Sequence, residues 1–305
     1  MRIVRGLESF PPDPPASAVA LGAFDGIHVG HRAILGTAVS IARARSLPAL
    51  ACTFDPHPLD VLQPGGAPVP ITTLAERLAL MEETGVDGVV VLEFTRGLAA
   101  MEPEAFVKDV LLVRLGARDI VVGFNHRFGH RARGDARLLT ELAPGLGFTA
   151  HIVPPQVVDG VAVSSSEIRA LLQRGDVASA ARFLGRPYGV GGRVVRGAGR
   201  GRTLGFPTAN VEPDRPLLIP TGVYACRARV DGGMYPTVVN IGVRPTFAEQ
   251  TLAVEAHLLD FSADLYDREL RLEFIRRLRG EQKFPSPEAL KKQIALDVAQ
   301  AREAL

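Results

Sequence analysis

The sequence predicts a two-domain α/β protein: a doubly wound parallel sheet over residues 1–184, then a small antiparallel β-barrel with a terminal helix over residues 185–305. Three observations carry that prediction. The chain is 305 residues long, more than one hydrophobic core usually serves. In the first part short apolar runs alternate with segments of helical period, the pattern of strands joined by crossover helices. From Gly222 onward the apolar runs are β-rich and follow one another directly, separated by Gly, Pro and Asp turns.

Residues 18–21, 49–54, 86–92, 119–122 and 148–153 are the expected strands of the parallel sheet. A helix starts at about Gly30, after the first strand. Thr73-x-x-Glu76 is a capping box ahead of Leu78-Ala79-Leu80-Met81, with Gly85 as the stop, and Pro103 opens a helix that Gly116 ends. Ligands of such a sheet lie at the carboxyl ends of its strands. The boundary falls in Arg182-Phe183-Leu184-Gly185-Arg186-Pro187-Tyr188, where Gly185 ends a helix. Beyond it, residues 223–230, 235–241, 252–258 and 270–274 read as barrel strands. Pro287 opens the last helix, whose Leu290, Ile294, Val298 and Ala301 form an apolar stripe to dock on the barrel.

Composition excludes several classes. Hydrophobic residues make up 47% of the chain and the net charge is +2, the balance of an ordinary globular protein with no nucleic-acid partner implied. No apolar run approaches a membrane span, and Met1-Arg2-Ile3-Val4-Arg5-Gly6-Leu7-Glu8 lacks the apolar core of a signal peptide, so no membrane is expected. Cys52 and Cys226 fall in apolar strand-like segments of different halves, as buried hydrophobes of a reducing cytoplasm; a structural zinc site is not supported.

The chemistry concentrates at strand ends. In Gly22-Ala23-Phe24-Asp25-Gly26-Ile27-His28-Val29-Gly30-His31 the glycines let backbone approach a ligand. The helix behind them offers unpaired N–H groups to phosphate, and two imidazoles three residues apart can face one anion. A lone H-x-x-H would more often be a cap and a packed ring; the surrounding glycines favour the anion site. Thr53-Phe54-Asp55-Pro56-His57-Pro58 follows the second strand, and His57 is as well explained by a stiff turn as by a ligand. Gly123-Phe124-Asn125-His126-Arg127-Phe128-Gly129 follows the fourth strand, where Asn125 and Arg127 suit a base and a phosphate. In Val163-Ser164-Ser165-Ser166-Glu167-Ile168-Arg169, Ser164 and Glu167 fit a capping box, and the serines with Arg169 make a second anion cradle at a helix start.

The G-x-F-D-G-x-H-x-G-H and S-S-S-x-I-R runs resemble the nucleotidyltransferase superfamily, where H-x-G-H and I-S-S-T-x-x-R motifs hold ATP on a Rossmann-like sheet. With residues 53–58 and the Asn125 loop added, the first half is similar to bacterial bifunctional riboflavin kinase/FAD synthetases. The second half completes the resemblance. Gly197-Ala198-Gly199-Arg200-Gly201-Arg202-Thr203-Leu204-Gly205-Phe206-Pro207-Thr208-Ala209-Asn210 resembles the kinase module's Gly-rich stretch and P-T-A-N motif. Asn240-Ile241-Gly242-Val243-Arg244-Pro245-Thr246-Phe247, Val254-Glu255-Ala256-His257 and Asp264-Leu265-Tyr266 follow in the family's order. Two positions depart from the pattern: His126 stands where an aromatic is common, and Asp267 replaces the glycine that usually follows D-L-Y.

The resemblance implies two reactions. In the first, the phosphate of FMN attacks the α-phosphorus of ATP and releases pyrophosphate, within a site drawn from Gly22, Phe24, Asp25, Gly26, His28, Gly30, His31, His57, Asn125, Arg127, Ser164, Ser165, Ser166 and Arg169. In the second, the 5′-hydroxyl of riboflavin attacks ATP, with Glu255 as the implied base and Thr208 and Asn210 on Mg²⁺. Gly197, Gly199, Gly201, Arg202, Gly205, Phe206, Pro207, Asn240 and Arg244 complete the second implied site. The substrates are then riboflavin, FMN and ATP, and the oligomeric state is left open. A single-function adenylyltransferase has no use for the P-T-A-N barrel. A nucleic-acid-binding barrel would interleave aromatic and basic residues along its strands, and this one does not. A non-catalytic scaffold would not keep both sets of phosphate-site residues.

Overall fold

The computed structural model describes residues 1–10, 13–197, 201, 205–245 and 250–305, with backbone alone at 244–245 and 250–251. The chain divides into two compact units, Met1–Ser165 and Ser166–Leu305.

The first unit is built on six parallel strands: β1 (Arg2–Arg5), β2 (Ser17–Leu21), β3 (Ala49–Asp55), β4 (Gly88–Glu93), β5 (Ala117–Gly123) and β8 (Thr149–Val153), ordered β1-β4-β3-β2-β5-β8. The five expected strands are present. The sixth, β1, is an edge strand in which only Val4 is buried, so the sequence carries little apolar signal for it. Successive side chains of a strand point to opposite faces, and both faces here are covered. Val19 and Leu21 pack with Phe106, Val110 and Leu139 on one side. Ala20 packs with Ile34, Leu35, Ala38 and Met81 on the other.

The helices on these faces are α1 (Val29–Arg45), α2 (Pro58–Leu62), α3 (Leu74–Glu82), α4 (Arg96–Ala99), α5 (Pro103–Ala105) and α6 (Ala136–Leu146). The capping box on α3 forms as its sequence suggests, with Glu76 N donating to Thr73 Oγ1 at 3.1 Å and Thr73 N to Glu76 Oε2 at 2.9 Å. The helix opened by Pro103 continues past α5 as a π-helical stretch, Phe106–Arg114, and Gly116 follows it at φ 63°. From β2 the chain winds through β3 and β4 to one side and through β5 and β8 to the other. The carboxyl ends of β2 and β5 therefore flank the point where strand order reverses, the crevice in which such sheets bind ligands. Two short hairpins, β6 (Arg127–Phe128) with β7 (Gly134–Asp135) and β9 (Val157–Val158) with β10 (Val161–Ala162), decorate this unit.

The second unit opens within α7 (Ser165–Gln173), from its second residue on, and continues with α8 (Val177–Leu184), which is closed by Gly185 in the left-handed conformation at φ 71°. Six strands then close an antiparallel barrel: β11 (Tyr188–Val195), β12 (Ala209–Pro213), β13 (Gly222–Val230), β14 (Gly233–Pro245), β15 (Gln250–Leu258) and β16 (Glu269–Arg279), in the order β11-β12-β15-β14-β13-β16. The four expected strands are longer than their apolar runs, and β11 and β12 are additions. Helix α8 buries Val177, Ala180, Phe183 and Leu184 and packs on β11 and β16.

The terminal helix α9 (Pro287–Ala304) docks on β13, β14 and β16. Its apolar stripe is only half of the attachment. Asp297, 2% exposed, accepts from Arg279 on β16 at 2.8 to 3.2 Å and from Gln293 at 2.9 Å, and Ala301 joins Val223, Ala225 and Val238.

Candidate active sites

The first site begins where β2 ends. Phe24, Gly26 and Ile27 have φ of 55°, 85° and 39°, a run of left-handed backbone that only external anchors hold in non-glycine residues. The anchors are polar and buried. The Asp25 carboxylate accepts from Ile71 N at 3.0 and 3.1 Å, from Thr72 N at 3.1 Å and from Thr72 Oγ1 at 3.2 Å, while Gly26 N donates to Thr72 Oγ1 at 3.0 Å. A Cβ on Gly26 would sit 3.1 Å from Ile71. Arg77 of α3 donates to Ala23 O at 2.7 Å and to Phe54 O at 3.0 Å, and Thr53 Oγ1 donates to Ala23 O at 3.0 Å. Burial lowers the Arg77 pKa, which the nearby Asp25 and Asp55 carboxylates counter. Asp25 thus has an anchoring role that sequence reasoning missed, as are Thr72 and Arg77; their partners are distant in sequence, and no spacing announces them.

His28 caps α1: His31 N donates to its Nδ1 at 3.2 Å. A cap was the ordinary alternative for one of these residues, and His28, 5% exposed, fills it. With Nδ1 accepting, the neutral ring carries its proton on Nε2, a donor suited to a phosphate oxygen. The His28 and His31 rings stack with centroids 3.6 Å apart, and Phe24 meets His31 edge-on at 5.3 Å. The packing beside them is close: a Cβ on Gly30 would lie 3.1 Å from the His28 ring and one on Gly22 3.1 Å from Phe24.

The other segments of the first half are placed as follows. His57 caps α2, its Nδ1 accepting from Leu59 N at 3.2 Å, within a capping box completed by Asp60. Asn125 stands after β5, across the strand-order reversal from the histidines, with its Oδ1 3.6 Å from where a Gly123 Cβ would be. Arg127 pairs with Asp135 at 3.3 Å, and Arg133 with Glu102 at 2.5 Å. His126 stacks on Phe128 at 5.9 Å; burial lowers its pKa to about 4, so the ring is neutral, and its buried Nε2 has no hydrogen-bond partner. It fills the aromatic position as an aromatic would. Helix α7 starts at Ser165, directly after Ser164, and Ser165 Oγ donates to Asp25 O at 3.0 Å, tying the serine run to the histidine loop. Ser166 and Arg169 continue along that helix into the second unit.

The second site is assembled by register. Asn210 of β12 pairs with Glu255 of β15, and Glu255 pairs with Asn240 of β14. Directly paired residues of antiparallel strands present their side chains on one face about 5 Å apart, so two amides flank the carboxylate in a row. A Cβ on Gly197 would fall 1.9 Å from Asn210 Nδ2, so a larger residue there would displace the Asn210 amide. Gly201 O accepts from Phe206 N at 2.9 Å, and a Cβ on Gly201 would meet Phe206 O at 2.4 Å and Thr208 Oγ1 at 3.0 Å. Gly205 is left-handed at φ 86°. Gly199 and Arg202 lie outside the described residues, as does the Arg244 side chain.

A cavity of about 500 Å³ is lined among others by Pro207, Thr208, Ala209, Ala256, Phe261 and Tyr266; Ala209 and Ala256 pair with each other and alternate with Asn210 and Glu255, so the row of amides and carboxylate lies on the other face of these strands. Arg196 lies over the Tyr266 ring at 5.7 Å. Asp267 takes the left-handed backbone at φ 65° that a glycine would otherwise supply; its N donates to Val194 O at 3.0 Å and its carboxylate accepts from Arg193 at 3.2 Å. The departure from the glycine pattern therefore preserves the turn.

A glycine-rich strand-to-helix loop at the switch point of a parallel sheet, and a barrel that aligns a carboxylate with two amides across three strands, fit a two-module enzyme of phosphoryl and nucleotidyl transfer. Residues 10–167 match the FAD synthetase family and residues 184–305 the riboflavin kinase family. Relatives named bifunctional riboflavin kinase/FMN adenylyltransferase are 40% identical over 303 residues in Pseudomonas fluorescens, 38% over 305 residues in Escherichia coli K12 and 37% over 291 residues in Bacillus subtilis. The first two alignments cover 99% of this chain and 97% of the relative, the third 93% and 91%. The chain belongs to the bifunctional riboflavin kinase/FMN adenylyltransferase family. It phosphorylates riboflavin to FMN and adenylylates FMN to FAD, with ATP as co-substrate of both reactions.

A Streptococcus pneumoniae crystal structure superimposes with a TM-score of 0.91 at 30% identity, covering 99% of both chains, and is described as a macrolide-efflux protein. That description stands apart from the names of the curated relatives. Among the described residues of this chain no helix is long and apolar enough to cross a membrane.

Proposed function

We propose that the two reactions are divided between residues 1–184 and 185–305, with adenylyl transfer on the sheet and riboflavin phosphorylation on the barrel. In the first, the FMN phosphate is already an anion when it attacks the α-phosphorus, so no strong base is required. Catalysis needs donors around the pentavalent phosphorus. His28 and His31 supply imidazole N–H groups, with Asn125, Ser165 and Arg169 completing the set. Gly22, Phe24, Asp25, Gly26 and Gly30 shape the loop, and His57, Arg127, Ser164 and Ser166 are assigned to the site by the resemblance alone.

In the second reaction the 5′-hydroxyl of riboflavin must lose a proton as it attacks the γ-phosphorus and ADP departs. Glu255 accepts that proton. The observation that carries this role is its place in register between Asn210 and Asn240. Gly197, Gly201 and Gly205 bring backbone N–H groups to the triphosphate, while the Phe206 N–H closes the turn on Gly201 O. Mg²⁺ usually arrives on substrate phosphates and takes one or two protein oxygens. The Thr208 hydroxyl and Asn210 amide oxygen are donors of that kind, and among the described residues no cluster of three His, Cys, Asp or Glu stands ready to hold a metal. When bound, the ion neutralises charge on the phosphates. A cytoplasmic location, with free ATP, fits this reading and the two buried free thiols Cys52 and Cys226.

The division is tested by the double variant His28→Ala, His31→Ala, supplied with riboflavin, ATP and Mg²⁺. FAD formation is abolished and FMN accumulates. Loss of FMN production in a folded double variant overturns the assignment of the two reactions to separate units.

A further inference from the structure

His257 lies two residues beyond Glu255 on β15, and residues i and i+2 of a strand share a face. Its ring reaches back to the P-T-A-N turn: Nδ1 is 2.7 Å from Pro207 O, and Phe206 packs edge-on against the ring with centroids 5.6 Å apart. A carbonyl oxygen can only accept, so Nδ1 carries the proton in this contact whatever the state of Nε2. The next residue of that turn is Thr208, on the cavity wall. At its other end the turn is closed by Phe206 N donating to Gly201 O at 2.9 Å. Ala256, between Glu255 and His257, pairs with Ala209 of β12, so strand register brings the His257 side chain opposite the start of β12.

We propose that His257 is a positioning residue of the kinase site: its Nδ1–H bond to the Pro207 carbonyl fixes the peptide that precedes Thr208 and thereby aims the Thr208 hydroxyl at the ATP phosphates. The inference rests on the reading that Thr208 belongs to the kinase site, and it is independent of whether Glu255 is the base. Holding a turn by one hydrogen bond of this kind is worth a factor of about 3 to 10 in the reaction it serves. Proton transfer is not part of the role, so removing the imidazole leaves the shape of the pH–rate profile unchanged.

The test uses the full-length protein. Asn places an amide N–H where His has Nδ1–H, whereas Gln places it near Nε2, so His257→Asn preserves the bond and His257→Gln misdirects it. His257→Gln should lower kcat/KM for ATP in riboflavin phosphorylation by about 3- to 10-fold, and His257→Asn should restore it to within about 2-fold of the parent. FAD synthesis from supplied FMN stays at the parent rate in both, which reports an intact first unit. In a Thr208→Ala background the further loss from His257→Gln should shrink towards none, because both changes remove one interaction. Equal impairment of the Asn and Gln variants, parent-like ATP kinetics in the Gln variant, full additivity with Thr208→Ala, or a displaced limb of the pH–rate profile each overturn the proposal. Failure of the kinase-site reading itself is separately visible: Thr208→Ala alone would then leave riboflavin phosphorylation unchanged.

Discussion

Replacing Asp25 should damage FAD synthesis through the fold of the histidine loop. Its carboxylate, 4% exposed, accepts from the backbone N–H groups of Ile71 and Thr72 and from the Thr72 hydroxyl, which in turn accepts from Gly26 N. Asp25→Ala would strand two buried backbone donors, at about 1–3 kcal/mol each, or about 2–6 kcal/mol together. That is a large share of the roughly 5–15 kcal/mol that holds a domain together. Asp25→Asn keeps one acceptor oxygen and turns an N–H group towards existing donors, so about half of the loss is expected. The same change loosens the tie that keeps Phe24, Gly26 and Ile27 left-handed, and with it the approach of His28 and His31 to their ligand. Urea unfolding of Asp25→Asn followed by circular dichroism should show the first unit destabilised by about 1–3 kcal/mol. FAD synthesis should fall at least about 10-fold, with riboflavin phosphorylation unaffected. Unaltered unfolding combined with a selective loss of FAD synthesis would refute the anchoring argument and put Asp25 in direct contact with the nucleotide.

Two further outcomes are expected. Glu255→Gln keeps size and hydrogen bonding but removes the basic oxygen, so FMN formation should fall about 10²- to 10⁴-fold with FAD synthesis from supplied FMN intact; a near-parent rate removes Glu255 from the mechanism. An isolated fragment of residues 186–305 should phosphorylate riboflavin, and extension back to Asp176 should stabilise it by about 3 kcal/mol, because Phe183 and its neighbours on α8 then cover β11 and β16. Two soluble fragments without kinase activity would show that the barrel is not an independent catalytic unit.

Both folds were legible where the chain writes them locally. The box on α3, the Gly185 stop and the strand-helix alternation depend on neighbours a few residues apart, and each is found as read. The strand β11 was not legible, because its run Tyr188-Gly189-Val190-Gly191-Gly192 resembles a turn. Those glycines answer to a neighbouring strand: a Cβ on Gly192 would lie 2.4 Å from Glu212 O. The strand β12 is hidden inside a motif whose chemistry draws attention first. In the first site the histidines and glycines stand in one run, but Thr72 and Arg77, which hold that run in place, look like ordinary residues of a loop and a helix.

The two sites differ in what fixes their geometry, and this explains why one was easier to read than the other. The first is a loop, and its shape is imposed by buried polar contacts from outside it. The second is a row across three strands, and its shape is imposed by pairing. A one-residue slip of β15 would turn Glu255 away and bring Val254 or Ala256 into its place. Those two residues are 3% and 0% exposed in the barrel, so a slip would also carry the carboxylate into an apolar interior. The apolar neighbours of Glu255 therefore do more than fill the core: they hold the register that sets the carboxylate between Asn210 and Asn240.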